Sequence, residues 1–285
     1  MGSLGDNSVP KQIKEGFWPA ANDRGYSIDE RPAFTPRRMK IIAIGAGLGG
    51  IITALQVDQR RDEFDLIVFD KAPETGGNWF WNKYPGIACD NPGVTYQLIK
   101  EVKTDWTYFY SQGQEICGYL QGIVKQNNLE KYFKLNTEVM KAEWNDETSK
   151  WTVTLKDLDT GKVSIEVADV VISAVGPLHH PKWPDLKNMD KYRGTLVHAS
   201  RYPDNLDLKG KRVAVLGTGS TGVQVVPTIL GEVEKIYHWI RQPTYIFPLD
   251  AAKANFEFTD EHKKQFAEDP EYFLKYRKAL ESDGK

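Results

Sequence analysis

Cysteine, net charge and long apolar runs are what this 285-residue chain has least of. Its two cysteines, Cys89 and Cys117, lack metal-type spacing and cannot build a disulfide framework. They read as reduced thiols in a cytoplasmic protein. The adjacent pair His179 and His180 follows a turn and has no acidic neighbours, so no metal site is expected. With 37 basic and 39 acidic residues the net charge is −2, which gives no pull towards nucleic acid or acidic membranes. The opening residues, MGSLGDNSVPKQIKEG, contain no apolar signal core. No window approaches the ~18 consecutive apolar residues of a membrane span.

What the chain does have is aromatic surface and glycine. Aromatics make up 12% of the residues, with 8 Trp and 13 Tyr, enough flat apolar surface for packing or for a ring-bearing ligand. The length allows one large or two small domains. Residues 1–38 are polar and interrupted by prolines, an extended lead-in. MKIIAI, at 39–44, is a short β-rich run followed by glycines, then by the helical stretch IITALQVDQRR and the strand DLIVFD. This is a βαβ unit. Residues 71–97 hold too much Gly, Pro, Trp and Tyr to be one regular element. A helix is expected over 114–126, then three strands, 137–144, 150–156 and 162–167, as an antiparallel meander turning at Asn145-Asp146 and Thr160-Gly161. A buried strand is expected at 169–173. RVAVLG, from Arg212, opens a second βαβ unit about 170 residues after the first, and a charged helical segment begins at Thr259.

Each βαβ unit carries a glycine fingerprint. Gly45-Ala46-Gly47-Leu48-Gly49-Gly50 reads GxGxxG between strand and helix, with Asp70 twenty residues beyond Gly50. Gly45 permits the tight turn, Gly47 lets a pyrophosphate approach the backbone, and Gly50 lets helix pack on strand. The phosphates would meet the free amides and positive end of the helix. Asp70 would accept from a ribose 2′-hydroxyl and repel a 2′-phosphate, which suits FAD or NAD. Gly217-Thr218-Gly219-Ser220-Thr221-Gly222 repeats the pattern. Here Arg241, nineteen residues past Gly222, can pair with a 2′-phosphate and selects NADPH. His238 reads as a strand-face residue. Two loops of opposite ribose preference point to a flavoprotein reduced by NADPH. The fold class is therefore α/β, with two Rossmann-like dinucleotide-binding domains.

Two further segments carry a resemblance. GGNWFWNKYPGIACD, at 76–90, resembles the GGTWYWNRYPG…D stretch of Baeyer–Villiger monooxygenases, with Asn78 for Thr and Lys83 for Arg. YRGTLVHASRYP, at 192–203, resembles their signature F-x-G-x-x-x-H-x-x-x-W, keeping Gly194 and His198, with Tyr192 and Tyr202 for Phe and Trp. The order of parts also matches, over roughly residues 39–250. In that family FAD is reduced by NADPH, oxygen is activated on the flavin, and one oxygen atom is inserted beside a ketone.

The resemblance implies site residues. Gly45, Gly47, Gly50 and Asp70 would hold the FAD adenosine and pyrophosphate, and the Val139 backbone would meet the adenine. Gly77, Asn78, Trp79, Phe80, Trp81, Asp90 and Tyr96 would lie near the flavin, under a Trp-rich loop that excludes water. Gly217, Thr218, Gly219, Ser220, Thr221, Gly222, Gln224, Arg241 and Gln242 would hold NADPH. Asp90 would orient the family's catalytic arginine, and His198 would serve at a hinge between domains. The domains would be 1–38 (lead-in), 39–180 (FAD), 181–250 (NADPH) and 251–285 (helical tail). DVVISAVG, at 169–176, resembles the flavoprotein A-T-G strand and reads as a crossing point without a chemical role. Family members are nearly twice this length. The FAD domain is therefore expected to lack its C-terminal return, which carries the catalytic arginine; Arg277, on a charged helix, has no supporting motif. The substrate implied is a small-molecule ketone, by resemblance one of fungal secondary metabolism. Two alternatives stand beside oxygenation: a scaffold turned to non-redox chemistry such as isomerisation or cyclisation, and an accessory protein completed by a partner chain.

Replacement of Arg241 by alanine is expected to weaken NADPH binding by about 1–3 kcal/mol and NADH binding little. Equal losses in equilibrium titrations of the two nucleotides would refute the 2′-phosphate role.

Overall fold

In a computed structural model, residues 37–178, 180–245 and 255–283 are described. The lead-in at 1–36, His179 and the segment 246–254 lie outside the described residues. β1 (Met39–Ile44) forms parallel ladders with β2 (Phe64–Phe69) on one side and β7 (Val170–Ser173) on the other. The two-residue β3 (Phe133–Lys134) extends the sheet beyond β2, giving the order β3-β2-β1-β7. A central parallel strand is covered on both faces and so reads as a continuous apolar run. Along β1, Ile41 and Ala43 face one side and Ile42 the other, and all three are buried.

On the first side lie α1 (Leu48–Asp58) and α3 (Gly113–Gln126), with Ile51, Ala54, Ile116, Leu120 and Ile123 turned inward. On the second lies the antiparallel meander β4 (Thr137–Asn145), β5 (Lys150–Asp157) and β6 (Val163–Ala168). Its Val153, Leu155 and Ala168 pack with Ile42 and Phe69. Asp169 joins meander to sheet: one carboxylate oxygen accepts the Lys40 amide at 2.9 Å, the other the Lys150 ammonium at 2.5 Å. The meander appears where the sequence indicated. The strand expected at 169–173 is only half-buried, because β7 is the edge of the sheet.

The second βαβ unit consists of β8 (Arg212–Leu216), α4 (Ser220–Ile229) and β9 (Lys235–Trp239), with the two strands parallel. Val225 and Ile229 of α4 pack with Tyr84 from the aromatic segment that follows the first unit. The other face of this small sheet leaves Leu216, Tyr237 and Trp239 exposed.

The helical tail differs from expectation. Backbone bonds run between residues 107–109 and 256–258: the Phe109 amide donates to Phe256 and the Phe258 amide to Thr107, both at 2.9 Å. α5 (Asp260–Glu268) follows, its Thr259 hydroxyl capping the His262 amide, and α6 (Pro270–Asp283) starts after a break at Asp269. Phe258, Phe266 and Phe273 enter the same core as Trp106, Phe109 and Leu120. Arg277 is buried too, its guanidinium over the Phe273 ring, rather than lying on a solvated face. Charge density hid this, since one aromatic every three or four residues is enough to seat a helix.

Phe266→Ala is expected to destabilise by about 3–5 kcal/mol, while Lys264→Ala, exposed on the same helix, stays within about 0.5 kcal/mol. Urea midpoints of the two variants check this, and equal small shifts would contradict the packing.

Candidate functional site

The first glycine loop leaves β1 at Gly45, whose φ of +114° is a conformation that side-chain-bearing residues avoid. Its amide donates to the Phe69 carbonyl at 2.8 Å, which pins the turn to the end of β2. A Cβ on Gly50 would overlap the Gly45 carbonyl oxygen and stand 3.1 Å from the Val68 side chain. The helix is thus seated directly on the turn that precedes it. Asp70 holds the same turn, accepting the Ala46 amide at 2.6 Å on one oxygen and the Ala72 amide at 2.7 Å on the other. A carboxylate oxygen takes more than one donor, so both keep capacity for a hydroxyl.

The second loop repeats this frame. Gly217 has φ +105°, its amide donates to the Trp239 carbonyl at 2.9 Å, and a Cβ on Gly222 would overlap the Gly217 oxygen. Matching Phe69 to Trp239 puts Ile240 at the station of Asp70, with Arg241 one residue further. An isoleucine therefore stands at the station that a carboxylate holds in the first loop. Arg241 and Gln242 are exposed, and the Thr244 hydroxyl donates to the Thr218 hydroxyl at 2.6 Å.

Between the loops runs the aromatic segment. Gly77 lies against Gly47, with only 3.3 Å between the Gly77 Cα and a Cβ placed on Gly47. The short helix α2 (Asn78–Trp81) follows. Trp79 Nε1–H donates to the Tyr96 hydroxyl at 3.3 Å, and the two rings meet edge-on at 5.7 Å. Phe80 meets Trp81 edge-on at 5.3 Å, and the Arg201 guanidinium covers the Trp81 ring at 4.3 Å. Burial pulls the Arg201 pKa down. Further on, the Tyr84 hydroxyl donates to Gln224 Oε1 and Gln224 Nε2 donates to the Ala88 carbonyl, both at 2.9 Å. Gln224, expected on a nucleotide, therefore spends both ends of its amide on the aromatic segment. His198 caps a tight turn at Ala199–Arg201: Nδ1 accepts the Ser200 amide at 3.3 Å and lies 2.8 Å from its hydroxyl. The ring edge meets Trp183 at 5.4 Å.

These parts enclose one cavity of about 720 Å³, within the range of small-molecule and cofactor sites. Its walls include Gly45, Gly47, Asp70, Gly77, Asn78, Trp79, Trp81, Tyr96, Val139, His198, Ser220 and Thr221. Both glycine loops therefore reach the same space. Gly50 and Gly222 lie under their loops, and Phe80, Gly217, Thr218, Gly219, Gln224, Arg241 and Gln242 are off the wall. So is Asp90, which is exposed and accepts the Asn91 side-chain amide at 3.3 Å. Ala174–Gly176, the end of the run 169–176 read from sequence as a crossing point without a chemical role, forms part of the wall together with Pro177 and Leu178, because the Gly45 turn packs on Ala174. Glu138 and Ser200 also line it, without any signal in their spacing. Among the described residues no three His, Cys, Asp or Glu side chains converge as a metal site, and no helix is long and apolar enough to cross a membrane.

The sequence matches the profile of flavin-binding monooxygenase-like proteins over residues 38–250. It is 38% identical to an FAD-binding monooxygenase of Aspergillus terreus, over 88% of this chain and 46% of that protein. It is 35% identical to the cyclohexanone 1,2-monooxygenase of an Acinetobacter species, over 73% of this chain and 38% of that one. The fold superposes on the cyclohexanone monooxygenase of Rhodococcus sp. Phi1 bound to NADP+ with a TM-score of 0.70 at 33% identity, covering 82% of this chain and 44% of that one. A similar match, with TM-score 0.70 and 28% identity, is to OTEMO in complex with FAD and NADP, over 81% and 44% of the two chains. The chain spans a little under half the length of the curated relatives it matches.

The bond from Tyr84 to Gln224 is open to a double-mutant cycle. Tyr84→Phe and Gln224→Leu are expected to show a coupling of about 0.5–3 kcal/mol in urea unfolding, and simple additivity would contradict the contact.

Proposed function

The chain belongs to the flavin-binding monooxygenase-like family, and from that footing we propose that it is an FAD- and NADPH-dependent oxygenase of the Baeyer–Villiger type. The observation that carries the reading is the convergence of two glycine loops on one cavity, with no acidic residue at the ribose station of the second. A dehydrogenase needs one dinucleotide, whereas reduction of a flavin by a nicotinamide needs two, held side by side. The cavity fits such an occupant on chemical grounds. Gly47 and Gly77 leave no room for side chains where the phosphates of the first nucleotide would lie, and the wall between the loops is aromatic.

In this reading Gly45, Gly47 and Gly50 shape the FAD pyrophosphate turn, and Asp70 takes the adenosine ribose on its remaining lone pairs. Val139 lies towards the adenine. Gly77, Asn78, Trp79, Trp81 and Tyr96 wall the flavin from water, with Arg201 holding the Trp81 ring. The second loop and Arg241 take NADPH, and FAD bound here would pass electrons from it to oxygen. The net change is insertion of one oxygen atom into the bond beside a ketone carbonyl. The other oxygen leaves as water, and NADPH supplies two electrons. Asp90, exposed beside this wall, would orient an arginine, and His198 would act as a hinge through its turn. FAD would belong to residues 39–180 and NADPH to 181–250, with Phe258, Phe266 and Phe273 of the tail packed into the core of the FAD domain. The substrate class proposed is a small-molecule ketone, in keeping with the relatives' names. A role in fungal secondary metabolism belongs to the same proposal, and one relative, an FAD-binding monooxygenase, is from the fungus Aspergillus terreus.

FAD titration of the purified chain tests the reading, together with NADPH-driven oxygen uptake in the presence of a cyclic ketone. Binding with ketone-stimulated uptake is expected. Binding without uptake would favour the non-oxygenating scaffold. Gly47→Val is expected to abolish flavin retention, since its side chain fills the pyrophosphate approach and pushes on Gly77. Unchanged flavin content would contradict the assignment.

A further inference from the structure

The two phosphate loops share one backbone plan but differ beneath it, and the difference lies in a single residue. In the first unit the residue paired with Ala43 across the ladder is Val68, whose methyl stands 3.1 Å from a Cβ placed on Gly50. In the second unit the residue at that register is His238, paired with Val215. Its Nε2 stands 3.8 Å from a Cβ placed on Gly222 and 2.8 Å from the Gly217 carbonyl oxygen. A carbonyl oxygen only accepts, so Nε2 carries the proton. Where the first loop rests on a methyl group, the second is tied by a hydrogen bond to its leading glycine.

We propose that His238 is a positioning residue for the second loop, fixing the Gly217 carbonyl and thereby the loop's affinity for a dinucleotide phosphate; this rests on the NADPH reading above. Gly217 has φ +105° and no side chain to restrain it, so its peptide is free to rotate unless the oxygen is held. Rotation of that peptide would move the amides that follow, and these are the groups a pyrophosphate meets at the start of α4. In the first loop Asp70 supplies the restraint, gripping the Ala46 amide. In the second loop Ile240 occupies that station and can grip nothing, so the restraint comes from below, through the Gly217 oxygen. Thr244 adds a second tie one residue on, with its hydroxyl 3.2 Å from the Thr218 carbonyl oxygen and 2.6 Å from its hydroxyl. Relieved of Asp70's counterpart, the second loop can accept a 2′-phosphate without losing its shape.

The test uses the purified chain with His238→Val, which copies the first loop, and His238→Gln, whose side-chain amide reaches the same oxygen. NADPH affinity is read by equilibrium fluorescence, FAD affinity in the same preparations, and amide exchange at 217–222 without ligand. The valine variant is expected to weaken NADPH about three- to tenfold, leave FAD affinity unchanged and speed exchange in the loop, with glutamine restoring both to within about twofold. Unchanged NADPH affinity and exchange in His238→Val, or a glutamine variant that behaves like valine, would overturn the proposal. If the parent chain binds no NADPH, the nucleotide reading fails. The exchange rates then decide on His238: faster in valine and restored in glutamine supports the tie, and no change overturns it.

Discussion

Gly77 lies on Gly47, and Gly86 lies on Gln224 and Thr228, at points where neither glycine has room for a side chain. One short aromatic segment is therefore in contact with both βαβ units, and the arrangement of the site follows from that double contact. The hydrogen bonds from Tyr84 to Gln224 and from Gln224 to Ala88 fix its far end. The stack of Arg201 on Trp81 and the ion pair of Lys83 with Asp204 at 3.2 Å add ties to the segment around His198. Were the segment to detach, the two loops would face separate solvent and not a common cavity.

The loops are alike because backbone geometry demands it, and their differences match the different ligands proposed for them. Each has a left-handed glycine at the end of a strand and a later glycine seated on its carbonyl. Those constraints are indifferent to what is bound. The restraining group is not: in the proposed reading the carboxylate that holds the first loop would repel a 2′-phosphate, whereas an imidazole and a hydroxyl hold the other from positions that would leave the ribose side open.

Most of the scaffold was legible in the sequence. Strand period, glycine spacing and turn residues located the meander, α3 and the strands of both βαβ units within a residue or two, and the helices α1 and α4 within three. The wall residues Gly45, Gly47, Asp70, Trp79, Tyr96 and His198 were legible through motifs. What escaped depends on long-range packing. Phe266, Phe273 and Arg277 sit in a segment whose charge concealed its buried stripe. Ala174–Leu178 became wall only because the Gly45 turn rests on it. Gln224 and His238 were assigned from motif position or strand face, but their partners are 140 and 21 residues away and follow only from the assembled register.

In the proposed function two dinucleotides meet in one cavity, one reducing the other. Anaerobic addition of NADPH to the FAD-loaded chain tests it most directly, with the flavin absorbance followed in time. NADPH is expected to bleach the flavin in the parent chain and to fail to do so in Gly222→Val, with the flavin retained in both. A flavin that stays oxidised in the parent chain at saturating NADPH would contradict it.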